Sequence, residues 1–283
     1  MDQLVVLNSI KELREYRNNI RQVKNIGFVP TMGCLHEGHL SLVKKSIIES
    51  DVTIVSIYVN PSQFGKNEDL DKYPRVLQRD LDLLGEYEVD AVFCPRDEEM
   101  YPEGYTTWVE ELSLSGKYCG ESRPTHFKGV TTIVAKLLNL VQPHFMYMGE
   151  KDFQQIAVLN KMIKDLNYDT VIRPCPIIRE NDGLAMSSRN IYLSDIERTD
   201  ALCLYKSLLL AKEMASKGEK SVSAVKERMM QIINLHHGKP DYIEFVNRNT
   251  LSATEEIDKD THVIMAVYVG KTRLIDNMQL IGR

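Results

Sequence analysis

Apolar and polar positions alternate along the chain in short buried runs separated by helical periods. Leu4–Leu7 reads as a strand. Ser9 and Glu12, three apart, form a capping box that predicts a helix to about Asn19. Ile26–Pro30 is an apolar run ended by proline, and Leu40–Ser50 has helical spacing. Val52–Val59 is β-branched and almost uniformly apolar, as a strand covered on both faces requires. A helix near Leu77–Glu86 and a strand at Ala91–Cys94 follow. The alternation returns as helix Val130–Val141, strand Phe145–Met148, helix Phe153–Leu166 and strand Thr170–Arg173. Strands alternating with crossover helices predict an α/β fold, a parallel sheet with helices on both faces. Such sheets seat ligands at the carboxyl ends of their strands.

The pattern changes after Arg173-Pro174-Cys175-Pro176, where two prolines read as a hinge. Ser194 and Glu197 make a second capping box, opening a long helix to about Ser216, and Val222–Leu235 is also helical. Tyr242–Val246, His262–Val269 and Thr272–Ile275 read as strands, with Gly270-Lys271 as a tight hairpin turn. The expected organisation is therefore residues 1–175 as an α/β domain and residues 176–283 as a smaller α+β domain with an antiparallel sheet.

Composition narrows the function classes. The 283 residues are 43% hydrophobic and 27% charged, an ordinary globular balance. The net charge is −5 and the basic residues are scattered, which argues against a nucleic-acid partner. No window approaches a membrane span of about 20 apolar residues, and the N-terminal apolar stretch is too short for a signal peptide. Five cysteines, Cys34, Cys94, Cys119, Cys175 and Cys203, lack metal or redox spacing and fit reduced thiols. A cytoplasmic setting is expected.

Candidate chemistry lies where predicted strands end. Pro30-Thr31-Met32-Gly33-Cys34-Leu35-His36-Glu37-Gly38-His39 joins a strand to a helix. Histidines three apart at a helix start share a face, where the dipole favours an anion. Gly38 leaves room for a flat ring against the backbone. A zinc protease helix would need its histidines four apart. Met148-Gly149-Glu150-Lys151-Asp152-Phe153-Gln154-Gln155 again follows a strand; Lys151 offers a compact cation for phosphate and Asp152 a cap or ribose acceptor. Asp182-Gly183-Leu184-Ala185-Met186-Ser187-Ser188-Arg189-Asn190 supplies hydroxyls beside a guanidinium. Tyr58-Val59-Asn60-Pro61-Ser62-Gln63-Phe64 offers amides that suit a hydroxy acid, and Ser122-Arg123-Pro124-Thr125-His126-Phe127 adds a cation and an imidazole. Each segment could also be an ordinary polar turn. Neither standard glycine-rich phosphate loop is present, which disfavours a dehydrogenase or a P-loop ATPase.

His36-Glu37-Gly38-His39 after a strand resembles the signature of the nucleotidyltransferase superfamily. The longer strings, Pro30–His39, Asn60–Phe64, Tyr73-Pro74-Arg75, Arg123–Gly129, Gly149–Gln155, Asp182–Asn190 and Leu274-Ile275-Asp276-Asn277, resemble the pantothenate synthetase family nearly end to end. The resemblance departs at Cys34, where alanine is common. It implies a Rossmann-like domain with a smaller C-terminal lid domain, a homodimer, and the substrates ATP, pantoate and β-alanine with magnesium. It places ATP against Met32 through His39, Gly149 through Asp152, Ile178 and Met186 through Arg189, with His36, His39, Lys151 and Arg189 catalytic. Gln63, Gln155, Asn60, Arg123 and His126 would serve pantoate and β-alanine, and Asp80 would contact the metal. The histidine signature alone also fits a nucleotidyltransferase acting on a phosphorylated alcohol or base, or a nucleotide sensor.

Overall fold

The computed structural model describes residues 4–20, 25–66 and 68–282. The start of the N-terminal reading, residues 1–3, lies outside the described residues, as does Asn67. The chain forms two compact units: Met1–Glu150 with Gln155–Pro176, and Lys151–Gln154 with Ile177–Arg283.

The first unit runs β1 (Val5–Leu7), α1 (Ile10–Asn19), β2 (Ile26–Thr31), α2 (Glu37–Glu49), β3 (Val52–Ile57), α3 (Leu77–Gly85), β4 (Ala91–Phe93), α4 (Asp97–Met100), α5 (Cys119–Ser122), α6 (His126–Val141), β5 (Phe145–Gly149), α7 (Phe153–Asp165) and β6 (Val171–Cys175). Its strands form a parallel sheet in the order β1-β4-β3-β2-β5-β6. Successive strand residues face opposite sides. Phe28, Ile54, Phe93 and Met146 therefore pack into one core with residues of α6 and α7, such as Ile133, Leu137, Leu159 and Met162. Their neighbours Val29, Val55, Val92 and Tyr147 pack into another with Leu40 and Val43 of α2 and Leu84 of α3. Burial on both faces is why these strands read as unbroken apolar runs. Because all are parallel, the segments after β2, β3 and β5 leave from one edge.

The second unit contains α8 (Asp195–Asp200), α9 (Cys203–Ser216), α10 (Val222–Leu235) and an antiparallel sheet, β7 (Lys239–Asn247), β8 (Thr261–Val269) and β9 (Thr272–Gln279). Leu204, Leu208, Val225, Met229, Phe245 and Met265 lie in its core. Gly270 takes φ +57 in the hairpin between β8 and β9.

Several expectations needed correction. The helix opened by the Ser194–Glu197 box breaks after Asp200. Leu202 N donates to Thr199 O and Leu204 N to Ala201 O, both at 3.3 Å, a three-residue spacing that tightens the turn. Pro174 interrupts nothing: it pairs with Met148 inside β6, an edge strand where a missing N–H can face away from the ladder. β9 runs four residues past Ile275, through the buried polar pair Asp276 and Asn277. α6 starts at His126, four residues before the expected Val130.

Candidate active site

The loop after β2 is shaped by its own polar groups. His36 is the N-cap of α2 and His39 its third residue. Gly38 N–H donates to His36 Nδ1 at 3.1 Å, and His36 N–H donates to His39 Nδ1 at 3.4 Å. The two imidazoles thus build a capping box usually made by Ser/Thr and Glu/Gln. Their ring centroids are 4.1 Å apart. An Nδ1 that accepts carries no proton, so each neutral ring holds its hydrogen on Nε2, the end remote from the cap. The sequence therefore places a pair of Nε2–H donors at a helix N-terminus, where an anion is favoured.

Asp80 of α3 fixes the same loop. It is 1% exposed, and its two oxygens accept the backbone N–H groups of Cys34 at 2.7 Å and Leu35 at 2.8 Å. Gly33 and Cys34 take left-handed φ of +80 and +51, a path that the paired carboxylate bonds hold in place. Both oxygens thus hold the backbone of the loop, a role that sequence reading did not assign to Asp80.

A second cluster gathers at the ends of β3 and α6. Asn60 is 1% exposed. Its Nδ2 donates to Gln63 Oε1 at 2.9 Å and to Gly129 O at 3.2 Å, while its Oδ1 accepts from Ser62 Oγ at 2.8 Å and Tyr101 OH at 2.9 Å. Gln63 Nε2 reaches Met32 Sδ at 3.0 Å, which joins this cluster to the histidine loop. Arg123 Nη2 donates to Gln63 O at 3.2 Å and pairs with Glu68, and His126 Nδ1 lies 2.9 Å from the same Gln63 carbonyl. The structure therefore brings Met32, Asn60, Gln63, Arg123 and His126 together. It engages Arg123 and His126 with the backbone that carries Gln63. Gln155 lies in the first turn of α7, half-buried.

In the second unit Lys151 and Asp152 belong to a short 3-10 turn, Glu150–Asp152, that enters α7. The Lys151 carbonyl accepts from Asn277 Nδ2 at 3.0 Å. Ser187 caps the 3-10 turn Ser188–Tyr192, which carries Arg189. Met186 N–H donates to Ile178 O at 3.0 Å. Arg179 makes a two-pronged bond to Asp276 at 2.6 and 2.9 Å and donates to Gly183 O at 3.1 Å, tying the loop to β9. Burial pushes the Asp276 carboxyl up, and the Arg179 guanidinium opposes that shift. Glu180 accepts from Asn190 Nδ2 at 2.7 Å and Arg198 Nη2 at 2.6 Å. Sequence reading passed over Arg179, Glu180, Asp276 and Asn277 as binding-loop supports. The one available signal was charge and amide at strand positions that should be apolar.

Among the described residues no cluster of three His, Cys, Asp or Glu side chains stands ready for a metal, and no helix is long and apolar enough to cross a membrane. Burial pushes the thiols of Cys94 and Cys203 up to about 12 and that of Cys175 to about 11, as inert core thiols require.

A parallel sheet with a histidine-capped helix after a central strand defines an α/β protein built to receive an anionic ligand at its strand ends. Comparison with known proteins is more specific. A profile of the pantoate-beta-alanine ligase family matches residues 5–279, and the chain belongs to that family. It is 54% identical over 274 residues to a pantothenate synthetase of Thermosipho melanesiensis, covering 96% of this chain and 98% of that protein. It is 52% identical to one from Caldicellulosiruptor bescii, with 97% and 98% covered. The crystal structure of a Thermus thermophilus pantothenate synthetase superposes with a TM-score of 0.94 at 40% identity, covering 99% of this chain and all of that one. A Francisella tularensis pantoate-beta-alanine ligase, solved in complex with beta-gamma ATP and beta-alanine, superposes at 0.82 with 37% identity and 98% of each chain covered.

Proposed function

We propose that this chain condenses pantoate with β-alanine at the expense of ATP, through an enzyme-bound pantoyl-adenylate. The family match over residues 5–279 is the observation that carries the reading. The pantoate carboxylate attacks the α-phosphorus of ATP, and pyrophosphate leaves. The β-alanine amine then attacks the acyl carbon of the mixed anhydride, and AMP leaves. Neither step needs a nucleophile from the protein, so catalysis rests on positioning and charge stabilisation.

His36 and His39 donate from Nε2 to phosphate oxygens, and Lys151, Ser187, Ser188 and Arg189 supply further donors. Met32 through His39, Gly149 through Asp152 and Ile178 receive the nucleotide. Gln63, held by Asn60 and by the Arg123 and His126 contacts to its carbonyl, takes pantoate together with Gln155. A divalent cation such as magnesium, bound with ATP, would neutralise part of the phosphate charge. The reading extends to residues 176–283 as a lid domain, a homodimer and a cytoplasmic setting; light scattering on the purified chain tests the dimer.

AMP production is the test. AMP should accumulate only when ATP, pantoate and β-alanine are all present, and omission of each in turn should abolish turnover. AMP formed at the same rate without pantoate would refute the reading.

A further inference from the structure

The second unit holds a buried polar chain that the chemistry above leaves without work. Asn277 on β9 is 4% exposed and His262 on β8 is 8% exposed. Asn277 lies opposite Ile264, so His262, two residues earlier, is its diagonal neighbour on the same face. His262 Nε2 and Asn277 Oδ1 are 2.8 Å apart. Asn277 Nδ2 is spent on the Lys151 carbonyl at 3.0 Å, so the amide oxygen faces the imidazole and His262 donates from Nε2. The ring of Phe153 stacks on His262 with centroids 4.0 Å apart and planes 8° apart. The turn is therefore gripped twice, at the carbonyl of Lys151 and at the ring two residues later.

We propose that Asn277, oriented by His262, is a positioning residue for Lys151. The inference rests on the reading of Lys151 as a phosphate ligand. A lysine ammonium sits on a flexible four-carbon stem, so a protein sets its reach by fixing the backbone from which it swings. An amide suits that task because it accepts from the imidazole and donates to the carbonyl at once. Aspartate would keep the first bond and turn a lone pair toward the carbonyl. The preceding residue, Asp276, points to the other face of β9 and holds Arg179, which ties down Gly183. Adjacent residues of one strand thus hold two cation-bearing segments, one each.

Calorimetric affinities for ATP and for adenosine test the proposal on the full chain. The variants are Asn277→Ala, Asn277→Asp, Lys151→Ala and the Asn277→Ala/Lys151→Ala double. Each single change is expected to weaken ATP about tenfold or more while adenosine binding moves less than about twofold. The double variant should be no weaker than Lys151→Ala alone, because a positioning residue has nothing left to position. Effects that add in the double variant, or unchanged ATP affinity in both Asn277 variants, would overturn the role of Asn277 alone. Unchanged ATP affinity in Lys151→Ala would overturn the phosphate role of Lys151 as well. If Asn277→Ala does not fold, the isosteric Asn277→Asp carries the test against Lys151→Ala.

Discussion

Asp80 accepts the backbone N–H of Cys34 through one carboxylate oxygen and that of Leu35 through the other, across more than forty residues of sequence. A buried anion here is a tool for bending backbone. It holds Cys34 at φ +51, a conformation that costs a residue with a Cβ about 1–2 kcal/mol. Asp80→Ala removes the acceptor of the buried Leu35 N–H and of the half-buried Cys34 N–H. It should cost about 2–4 kcal/mol in denaturant unfolding and weaken ATP binding. Asp80→Asn, which sets an NH2 group against one of the N–H donors, should fall between the two. Equal stability in all three proteins would remove the carboxylate from this role.

The histidine box separates two jobs of one ring. Asparagine places a polar atom near the Nδ1 position, and glutamine places one near Nε2. His39→Asn should therefore keep the helix cap and lose the donor to phosphate, with the melting temperature held while adenylate formation falls roughly 100-fold or more. His39→Gln should retain more activity than His39→Asn. The reverse order in single-turnover pyrophosphate release would contradict the Nε2–H assignment.

Lys151→Ala should fold normally and lose adenylate formation by about 3–4 kcal/mol of barrier, a few hundred-fold in rate. Near-normal turnover in that variant would remove Lys151 from the mechanism.

Gly129 lies in the first turns of α6, where a Cβ would stand 2.4 Å from Ser62 O and 2.6 Å from Gln63 Cα. Both are backbone atoms of the loop that carries Gln63, so neither can step aside cheaply. Gly129→Ala should raise the KM for pantoate well above the KM for ATP and cost about 1–3 kcal/mol of stability. Equal effects on the two KM values would count against Gln63 as a pantoate ligand.

Burial lowers the His262 pKa to about 4, with the Asn277 bond opposing and Arg248 adding to the shift. The fold favours the neutral ring. Its contribution is therefore complete above the unfolded pKa near 6.5 and is lost as pH falls toward 4. The loss should be about 2 kcal/mol by pH 5 and about 3 kcal/mol in full. Urea unfolding at pH 7 and pH 5 should show a steeper loss for the parent than for His262→Gln; parallel losses would contradict the sign.

Local signals gave the strands and most helices, because burial on both faces leaves unbroken apolar runs such as Val52–Ile57. What sequence reading missed was set over distance. The two histidines read as lying at a helix start, but the capping of α2 by their own imidazoles lies outside the usual Ser, Thr, Asp or Asn signal. Arg123 and His126 lie about sixty residues from the Gln63 carbonyl they reach, and nothing local to either marks that partner. Asp276 and Asn277 ended the apolar reading of β9, yet both are buried, because Arg179, His262 and the Lys151 carbonyl satisfy them. Lys151–Gln154 group with residues far along the chain, which no hinge signal near Pro174 could reveal.

The adenylate step is the centre of the account, and isotope exchange reaches it alone. Labelled pyrophosphate should enter ATP when pantoate is present, at a rate that does not need β-alanine. Exchange without pantoate, or exchange that requires β-alanine, would contradict it.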